Sequence, residues 1–357
     1  MDFEIDSDIK KAHTMPSFCY TDSDVFTRIK SGFSRKWHFA AHSSQIENFS
    51  AIPIYHTADM VGQPMLLTND EKFHCISNVC THRGMIINNA PCNNKNLLCP
   101  YHGRTFNLSG NLLNMPEFTD VEGFPDSSDD LVEFPLFDWK GLVFTGLQPS
   151  GISGFVEELE RFVGWLPIGE FTYDESRFRE YEIDANWALY VDNYLEGFHI
   201  PFVHKGLHAT LDYDEYRTEL FEGGVLQVGI AKDDEQSFDL PATSPDYGKR
   251  IAAYYFWFYP GLMLNFYPWG LSINIILPIE VDRTRIIYYG FIGDPSLLGK
   301  GAGGQLDKVE SEDQFVVEST QIGVRASSYD RGRYSPTKET GVHHFHRIIS
   351  SELRRKK

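Results

Sequence analysis

Two short boxes that contain cysteine and histidine stand out in the first third of the chain. Cys80 is followed two residues later by His82, and Cys99 is followed three residues later by His102. The four side chains offer two thiolates and two imidazoles, all of which bind transition metals. A glycine follows each histidine closely, and glycine permits the tight turns that loops around an inorganic centre need. The two boxes therefore predict one metal centre with four protein ligands.

The pairing of each cysteine with its own histidine favours one kind of centre. In a Rieske [2Fe-2S] centre, two thiolates hold one iron and two imidazoles hold the other. Zinc accepts the same four donors, but structural zinc boxes usually pair cysteines with cysteines at short spacing. We therefore prefer an iron-sulfur cluster held by Cys80, His82, Cys99 and His102. At this point zinc stays an alternative.

A second group of polar residues lies in residues 186–204. Asp192, Glu196 and His199 recur there at intervals of four and three. On a helix capped by Asn186, these side chains would share one face. Their neighbours are mostly apolar, and buried ionisable groups are costly unless they are paired or bound to a metal. The segment therefore predicts a buried polar face with a functional role.

The same segment contains another histidine, His204, five residues beyond His199. Pro201 lies between them and interrupts a regular helix, which would let both imidazoles converge on one ion. Two histidines and one carboxylate form the facial triad of non-haem Fe(II) enzymes, which leaves positions for dioxygen and solvent. Such a pair says little by itself. In a chain that also carries the first centre, a mononuclear iron site becomes the preferred interpretation.

Together these motifs resemble the α subunit of a Rieske non-haem iron oxygenase of the aromatic-ring-hydroxylating family. The resemblance runs from about Trp37 to the C-terminus and includes the acidic segment 312–321. In that family the third iron ligand is a carboxylate just upstream of a Glu-x-x-Gln motif, and this position falls on Asp313. Glu310 and Glu312 are neighbours, and a solvated acidic helix face is the alternative for this segment. Asp313 is preferred because helical spacing places it on the side of the apolar residues that follow.

The resemblance implies an α+β fold. An antiparallel β Rieske domain is joined to a helix-grip (START-like) catalytic domain, in which helices cover an antiparallel sheet. Short strand-like runs broken by Gly, Pro and Asn precede residue 147, and helical spacing follows at 155–163 and 307–324. The expected organisation is an N-terminal helical segment, 1–36, that packs on the catalytic domain, a Rieske domain, 37–147, and a catalytic domain with the mononuclear iron, 148–357.

The resemblance also implies the participants in the reaction. The cluster passes electrons to mononuclear Fe(II), O2 is the co-substrate, and NAD(P)H supplies electrons indirectly through a flavin/iron-sulfur reductase or a ferredoxin. A homotrimer is expected, in which the cluster of one subunit lies close to the iron of its neighbour. Glu196 would then link a cluster histidine, His102, to an iron histidine and so act in catalysis. Asp192 would serve a similar role or orient the helix.

Glutamate at position 196 and the aromatic segment 254–269 resemble the branch that includes choline, glycine betaine and carnitine monooxygenases. Aromatic faces bind trimethylammonium groups by cation–π attraction. The expected activity is hydroxylation of a small quaternary or methylated ammonium compound, with N-dealkylation where the product loses an aldehyde. The alternatives are an oxygenase of an aromatic or other small organic acid and, from another class, a Rieske electron carrier. The candidate cage residues, for which strand packing is the other interpretation, are Trp257, Tyr259, Phe266, Tyr267 and Trp269.

Composition narrows the function further. The 357 residues allow two domains with proper cores, and the formal net charge of −18 argues against nucleic-acid binding, which needs concentrated Lys and Arg. Lys36, Arg83 and Arg104 could still form a basic patch for an acidic electron-transfer partner, and solvated surface side chains are the alternative interpretation. Apolar runs are interrupted before they reach the length of a membrane span, and the N-terminus does not resemble a signal peptide. A cytoplasmic protein without membrane contact is expected.

Two features of the C-terminal half have simpler interpretations. The glycine-rich stretch 299–304 lacks the features of a phosphate loop and is interpreted as a flexible connection. His343, His344 and His346 are interpreted as a helix-end or surface cluster rather than as a further metal site.

Overall fold

The computed structural model describes residues 2–354 as two compact units. The smaller unit is Phe33–Ser150, and the larger unit combines residues 2–32 with residues 151–354. Both units are built on antiparallel strands, and helices cover the sheet of the larger one. This arrangement confirms the expected α+β class. Within residues 2–354, no helix is both long enough and apolar enough to cross a membrane.

Two helices begin the larger unit: α1, Phe18–Thr21, and α2, Ser23–Ser31. The side chain of Asp22 caps α2 by accepting hydrogen bonds from backbone N–H groups of its first turn. Arg28 donates to the carbonyl oxygen of Leu353 at 2.8 Å. Lys30 donates to the carbonyl oxygen of Pro278 at 2.6 Å. The N-terminal segment is thus held by one residue near the C-terminus and by one residue in the middle of the larger unit.

The smaller unit consists of three antiparallel sheets with strand orders β1-β10-β9, β2-β3-β4-β8 and β5-β6-β7. Cys80 and Cys99 belong to an apolar cluster that includes Leu97 and Phe106, so both thiols are anchored in a packed core. The elements are β1 His38–His42, α3 Ser43–Ile46, β2 Ala51–Ile54, α4 His56–Val61, β3 Met65–Asn69, β4 Phe73–Ser77, β5 Leu97–Leu98, β6 Thr105–Phe106, β7 Leu112–Asn114, β8 Glu133–Phe134, β9 Leu136–Trp139 and β10 Leu142–Thr145.

The larger unit is organised around one antiparallel sheet with the order β11-β18-β17-β16-β15-β14-β13, and β12 also pairs with β18. The elements are α5 Ser153–Val163, β11 Thr172–Tyr173, β12 Arg179–Ile183, α6 Trp187–Tyr194, α7 Ile200–Val203, α8 Lys205–Thr210, β13 Leu211–Phe221, β14 Gly224–Ala231, β15 Ile251–Phe258, β16 Leu262–Tyr267, β17 Gly270–Glu280, β18 Arg283–Ile292, α9 Leu306–Val324 and α10 Thr340–Arg354.

The two faces of this sheet have different partners because successive side chains of a strand point to opposite faces. Phe258 of β15 stacks on Phe155 of α5, with ring centroids 4.4 Å apart. Its neighbour Trp257 instead contacts Phe345 of α10 at 5.3 Å. Tyr255, on the same face as Trp257, lines a cavity. Helix α5 therefore covers one face, and the other face carries the helices that surround the cavity.

The predicted common face of Asp192, Glu196 and His199 is wrong. Helix α6 ends at Tyr194, so Glu196 and His199 lie in the turn that follows it. The Glu196 carboxylate accepts hydrogen bonds from the backbone N–H groups of Phe198 and His199. These bonds offer the backbone an alternative to helical hydrogen bonds, which explains why the helix stops.

Two C-terminal features are more tightly packed than expected. Residues Gly301–Gly303 form a 3₁₀ turn, and a Cβ at Gly303 would lie 2.3 Å from the indole nitrogen of Trp269. His343 and His346 are buried on the inner face of α10, and His343 Nε2 lies 2.8 Å from the carbonyl oxygen of Asp6. The surface cluster expected from the histidines is therefore an internal hydrogen-bonding group.

Candidate functional site

Two matching loops carry the cysteine and histidine boxes. The N–H of Gly84 bonds to the carbonyl oxygen of Cys80 at 2.9 Å, and the N–H of Gly103 bonds to that of Cys99 at 3.1 Å. The φ angles of these glycines are 70° and 75°, a left-handed conformation that other residues rarely adopt. Each loop therefore needs its glycine in order to turn back on its cysteine.

The ligands divide into a buried pair and an outer pair. Cys80 and Cys99 are each 2% exposed, whereas His102 is exposed and its ring centroid lies 4.7 Å from that of His82. Burial raises the pKa of the Cys80 thiol, and the neighbouring Cys99 thiol raises it further. Bound metal removes this penalty because thiols bind metal as thiolates. Two buried thiols beside two adjacent imidazoles fit the mixed donor set of a Rieske cluster.

Arg104 lies inside the cluster-bearing unit rather than on its surface. Its side chain is 2% exposed and forms a salt bridge with Asp129. The guanidinium also lies over the rings of Phe106 and Phe124, at 5.9 Å and 5.6 Å from their centroids. A buried and paired guanidinium contributes nothing to a docking surface. The expectation that Arg104 belongs to a basic surface patch is therefore wrong.

In the larger unit, three side chains from separate segments converge. Nε2 of His199 lies 3.1 Å from Nε2 of His204, and the latter atom lies 3.0 Å from Oδ1 of Asp313. The same oxygen lies 3.7 Å from Nε2 of His199. Three potential ligand atoms this close together fit one shared metal ion. Two imidazoles and a carboxylate are the donor set of a non-haem Fe(II) site.

Local structure explains how the three groups meet. His199 precedes the short helix α7 and His204 follows it, so one helical turn separates the two imidazoles. Pro201 lies in the first turn of α7, where its missing N–H costs no hydrogen bond. Asp313 projects from α9, and its Oδ1 accepts a hydrogen bond from the side-chain amide of Asn193 at 2.6 Å.

A glutamate holds the other nitrogen of each imidazole. Nδ1 of His199 lies 2.6 Å from Oε1 of Glu196. Nδ1 of His204 lies 2.8 Å from Oε2 of Glu312. An Nδ1–H donated to a carboxylate orients the ring and leaves the Nε2 lone pair for a metal. Burial alone would lower the pKa of His204, but hydrogen bonds and charges from Asp313 and Glu312 outweigh it, so the pKa is raised.

A cavity opens onto the three converging groups. It presents aromatic rings, hydroxyls and amides, and no lysine or arginine of the described chain is among its lining residues. Besides the histidines and carboxylates, the lining consists of the tyrosines Tyr190, Tyr194, Tyr216, Tyr255 and Tyr267, the carboxamides Asn193, Gln227, Asn265 and Asn274, and the aliphatic residues Ile200, Leu207, Ala302, Leu306 and Val309.

One further carboxylate, Glu310, faces this cavity. It precedes Asp313 by three residues on α9, so the two side chains project to the same side. Oε2 of Glu310 accepts hydrogen bonds from the hydroxyls of Tyr190 and Tyr288, each at 2.5 Å. Burial and the nearby charge of Asp313 raise the pKa of Glu310 to about 7. The alternative of a solvated acidic helix face is wrong for this residue, and no local motif marked its position.

Family models match segments of both units. Residues 164–354 match the ring hydroxylating alpha subunit (catalytic domain), and residues 36–125 match the Rieske [2Fe-2S] domain. The chain is a Rieske oxygenase α subunit. This result confirms the resemblance expected from the motifs and identifies an oxidoreductase that uses O2. It also sets aside zinc at the first centre and the alternative of a pure electron carrier.

Relatives of this Rieske oxygenase match almost the whole chain. Choline monooxygenase, chloroplastic, from Arabidopsis thaliana is 30% identical over 97% of this chain and 84% of the relative. The carnitine monooxygenase oxygenase subunit of Escherichia coli (strain K12) is also 30% identical, over 96% and 94%. A solved quaternary ammonium Rieske monooxygenase shares the fold with a TM-score of 0.82 and 24% identity, over 99% of this chain and 100% of that one.

The cofactors follow from this membership. The Rieske oxygenase uses a [2Fe-2S] cluster and mononuclear non-haem iron, with O2 as co-substrate and NAD(P)H as an indirect electron source. An α subunit of this kind takes its electrons from a reductase or a ferredoxin. All four residues predicted to hold the cluster lie within the matched range 36–125.

Of the five aromatic residues predicted for a substrate cage, only Tyr267 lines the cavity. Strand alternation sends Phe266 to the opposite face, where its ring contacts Phe256 at 6.0 Å. Trp269 lies behind Tyr267, with ring centroids 5.2 Å apart. The predicted cage residues that the structure places outside the cavity are Trp257, Tyr259, Phe266 and Trp269.

The tyrosines that do line the cavity were missed, although two signals mark some of them. Tyr255 of β15 pairs with Asn265 of β16. Tyr267 lies two residues beyond Asn265 and so faces the same way. Tyr190 and Tyr194 lie four residues apart on α6 and share a helix face. Only the pairing of β15 with β16 and the position of α6 show that the sheet tyrosines and the helix tyrosines line the same cavity.

Asp192 lies among structural hydrogen bonds rather than at the three converging groups. Its Oδ2 accepts a hydrogen bond from the hydroxyl of Tyr20, and its Oδ1 lies 2.7 Å from Nε2 of His346. Nδ1 of His346 in turn lies 2.6 Å from the hydroxyl of Tyr334. Asp192 is absent from the cavity lining. This geometry favours the alternative role of orienting α6, which it ties to the N-terminal segment and α10.

We predict that His82→Ala and His102→Ala each abolish the optical and paramagnetic spectra of the Rieske cluster, because imidazole ligation defines this cluster. Spectra and iron content of the purified proteins provide the measurement. Tyr101→Ala is the matched control, because it removes the exposed ring that stacks on His102 at 3.7 Å without removing a ligand. Full spectra in both histidine variants would refute the ligand assignment.

We predict that His199→Ala, His204→Ala and Asp313→Ala each remove the mononuclear iron and leave the cluster spectrum intact. Iron analysis should fall from about three to about two irons per chain. Glu312→Ala should weaken iron binding by about 10- to 100-fold without abolishing it, because Glu312 only orients a ligand. If Asp313→Ala keeps its iron and Glu312→Ala loses it, the third ligand has been assigned to the wrong residue.

Proposed function

We propose that this Rieske oxygenase hydroxylates a small quaternary or methylated ammonium compound at a carbon next to nitrogen. The observation that carries the proposal is the cavity, in which five tyrosines lie beside the two histidines and the carboxylate. Each aromatic face attracts a desolvated alkylammonium group by about 0.5–2 kcal/mol. A purely hydrophobic lining would favour an uncharged ring, but this lining also contains carboxamides and Glu310.

The relatives support the same substrate class. Two proteins that are 30% identical over nearly the whole chain are named for choline and for carnitine, both of which contain a trimethylammonium group. The choice among such compounds depends on features of the cavity.

The proposed reaction balances with one O2 and two electrons from the partner. One oxygen atom enters the C–H bond, and the other leaves as water with two protons. When the hydroxylated carbon is attached to nitrogen, its C–N bond can break to release an aldehyde and the dealkylated amine. Bound iron supplies the activation of dioxygen, and the cluster supplies electrons one at a time.

The side chains have distinct roles in this scheme. His199, His204 and Asp313 hold the iron. Glu196 and Glu312 keep the Nδ1 protons of the two imidazoles and fix the ring orientations. The tyrosine rings bind the ammonium group and exclude water from it. In the same proposal, residues 37–147 form the cluster domain and residues 148–357 form the catalytic domain, on which residues 1–36 pack.

We also propose a cytoplasmic homotrimer in which the cluster of one subunit serves the iron of its neighbour. A solved relative was described in terms of inter-subunit electron transfer. Glu196 would be the link, because its carboxylate already holds Nδ1 of His199 and could also receive a proton from a cluster histidine of the next subunit. His102 suits this role because its ring is exposed.

We predict that oxygen uptake and product formation, measured with a reconstituted reductase, respond to quaternary ammonium compounds. Tyr267→Leu should raise the KM by about 2- to 30-fold because one cation–π contact is lost, whereas Tyr267→Phe keeps the ring and should stay near wild type. Tyr247→Leu, which alters an exposed tyrosine outside the cavity, is the control. Turnover with uncharged aromatic rings alone would replace this proposal by the aromatic alternative.

We predict that Glu196→Gln keeps both metal centres and a reducible cluster but forms no product. In a single turnover of pre-reduced enzyme with substrate and O2, cluster oxidation should slow by more than about 100-fold. Glu312→Gln is the matched control, because it loosens a ligand imidazole in the same way, and it should slow the step by only about 10-fold. Wild-type cluster oxidation in Glu196→Gln would place the electron route elsewhere.

A further inference from the structure

Glu310 is a carboxylate without a protein cation. Its Oε2 accepts two tyrosine hydroxyls, and no lysine or arginine of residues 2–354 forms a salt bridge with it. The charged groups that influence the pKa of Glu310 are Asp313 and His204, and both belong to the metal site. A partly buried carboxylate that lacks a cationic partner is costly, and its pKa is raised for this reason. A cationic ligand beside Glu310 would lower this cost and favour the ionised carboxylate.

The metal does not remove this imbalance. One ferrous ion brings two positive charges, and the imidazoles of the site are neutral when they bind it. Asp313 touches the site directly, and Glu196 and Glu312 hold its imidazoles. Lys308 Nζ lies 3.9 Å from Oε1 of Glu312 and offsets its charge. Glu196, Asp313 and Glu310 form no salt bridge with a lysine or arginine of residues 2–354, so three carboxylates face two positive charges. A monocationic ligand reduces the excess, whereas a ligand with its own carboxylate does not.

A buried acceptor in the same cavity also lacks a partner. Gln227 is 1% exposed, and its side-chain nitrogen donates to the carbonyl oxygen of Tyr194. Because only the NH2 group can donate to a carbonyl, this bond fixes the orientation of the amide. The amide oxygen Oε1 then has no hydrogen-bond partner among residues 2–354. Burying such an acceptor costs about 1–3 kcal/mol, and a ligand O–H group would satisfy it.

Two further carboxamide donors of the cavity lining are already engaged. The side-chain nitrogen of Asn193 donates to Asp313, and that of Asn265 donates to Asn274 at 3.2 Å. No lysine or arginine of the described chain lines the cavity. A ligand carboxylate would therefore meet the like charge of Glu310, with no lysine or arginine of residues 2–354 in the lining to offset it.

We propose that Glu310 is the counter-ion of the substrate's ammonium group and that Glu310 and Gln227 together select a cationic ammonium alcohol over a zwitterion that carries a carboxylate. This inference rests on the proposed function and narrows its substrate class. Tyr190 and Tyr288 hold Oε2 of Glu310 in place, and the tyrosine rings of the cavity surround the alkyl groups of the cation. The hydroxyl of the substrate donates to Oε1 of Gln227.

Ligand binding by the wild-type enzyme provides the first test. Calorimetry on the iron-loaded enzyme with an oxidised cluster and no reductant measures affinity without turnover. The probes are choline, its uncharged isostere 3,3-dimethylbutan-1-ol, and the zwitterions glycine betaine and L-carnitine. Choline should bind at least about 10-fold more tightly than each of the others, because a hydrogen-bonded charge pair is worth about that much or more.

Removing the charge of Glu310 provides the second test. Glu310→Gln should weaken choline binding by about 10- to 100-fold and leave the binding of 3,3-dimethylbutan-1-ol unchanged. Glu310→Asp, which keeps the charge, should recover part of the loss. Asp307→Asn removes a carboxylate on the outer side of the same helix, 71% exposed, and should bind choline like wild type. Iron content and circular dichroism check that each variant is folded.

The inference is overturned if the wild-type enzyme binds glycine betaine or L-carnitine as tightly as choline, or if Glu310→Gln binds choline like wild type. In either case, oxygen uptake with an ammonium compound would leave the proposed function intact. If no ammonium compound binds or supports oxygen uptake, the proposed function itself fails. Should Glu310→Gln not fold, the ranking of the four ligands by the wild-type enzyme still decides the question.

Discussion

The convergence of His199, His204 and Asp313 is the constraint on which the catalytic unit depends. Three polar atoms that lie 3.0–3.7 Å from one another must be held with their lone pairs directed at one point. Glu196 and Glu312 achieve this by fixing the Nδ1 side of each imidazole. Helix α6 must end before Glu196 for this to occur, because a continuous helix would carry Glu196 and His199 past the site. The turn after α6 is therefore as important to the site as the ligands themselves.

The sheet provides the wall against which this turn is held. Phe258 and Phe155 seal one face, and Trp257 and Phe345 fix α10 on the other. Buried hydrogen bonds through Asp192 then link α6 to both ends of the described chain. Packing of this kind limits the motion of α6 and α9, the helices that flank the cavity. It therefore keeps the ligand atoms at the distances that a metal ion needs.

Charge gives the cavity its chemical preference. The chain as a whole has a formal net charge of −18, and the cavity has carboxylates but no lysine or arginine of residues 2–354 in its lining. A field of this sign attracts cations and disfavours anions. Tyrosine rings can hold an alkylammonium group without neutralising its charge, so aromatic and electrostatic recognition act on the same part of a ligand. The metal ligands, the outer carboxylates and the substrate wall therefore form one connected electrostatic unit.

The sequence by itself determined the chemistry of both centres and the class of the fold. Residue type and short spacing are enough to identify the cluster ligands Cys80, His82, Cys99 and His102. The intervening proline points in the same way to His199 and His204 as a pair. These are local properties of the chain. The sequence did not determine which aromatic residues line the cavity. Tyr267 and Phe266 are adjacent, and only the way their strand is placed in the sheet decides which of the two side chains faces the cavity.

Tertiary structure alone decided the roles of residues whose partners lie far away. Helical spacing predicts that Asp192 shares a face with His199, but its partners are Tyr20 and His346, near opposite ends of the chain. Its position beside the cluster ligands predicts a surface location for Arg104, but the side chain is buried against Asp129. The position of Glu310 in the cavity depends on the packing of α9 beside Tyr190 and Tyr288. Ligand chemistry depends on residue type, whereas burial, pairing and the lining of a cavity depend on contacts between distant segments.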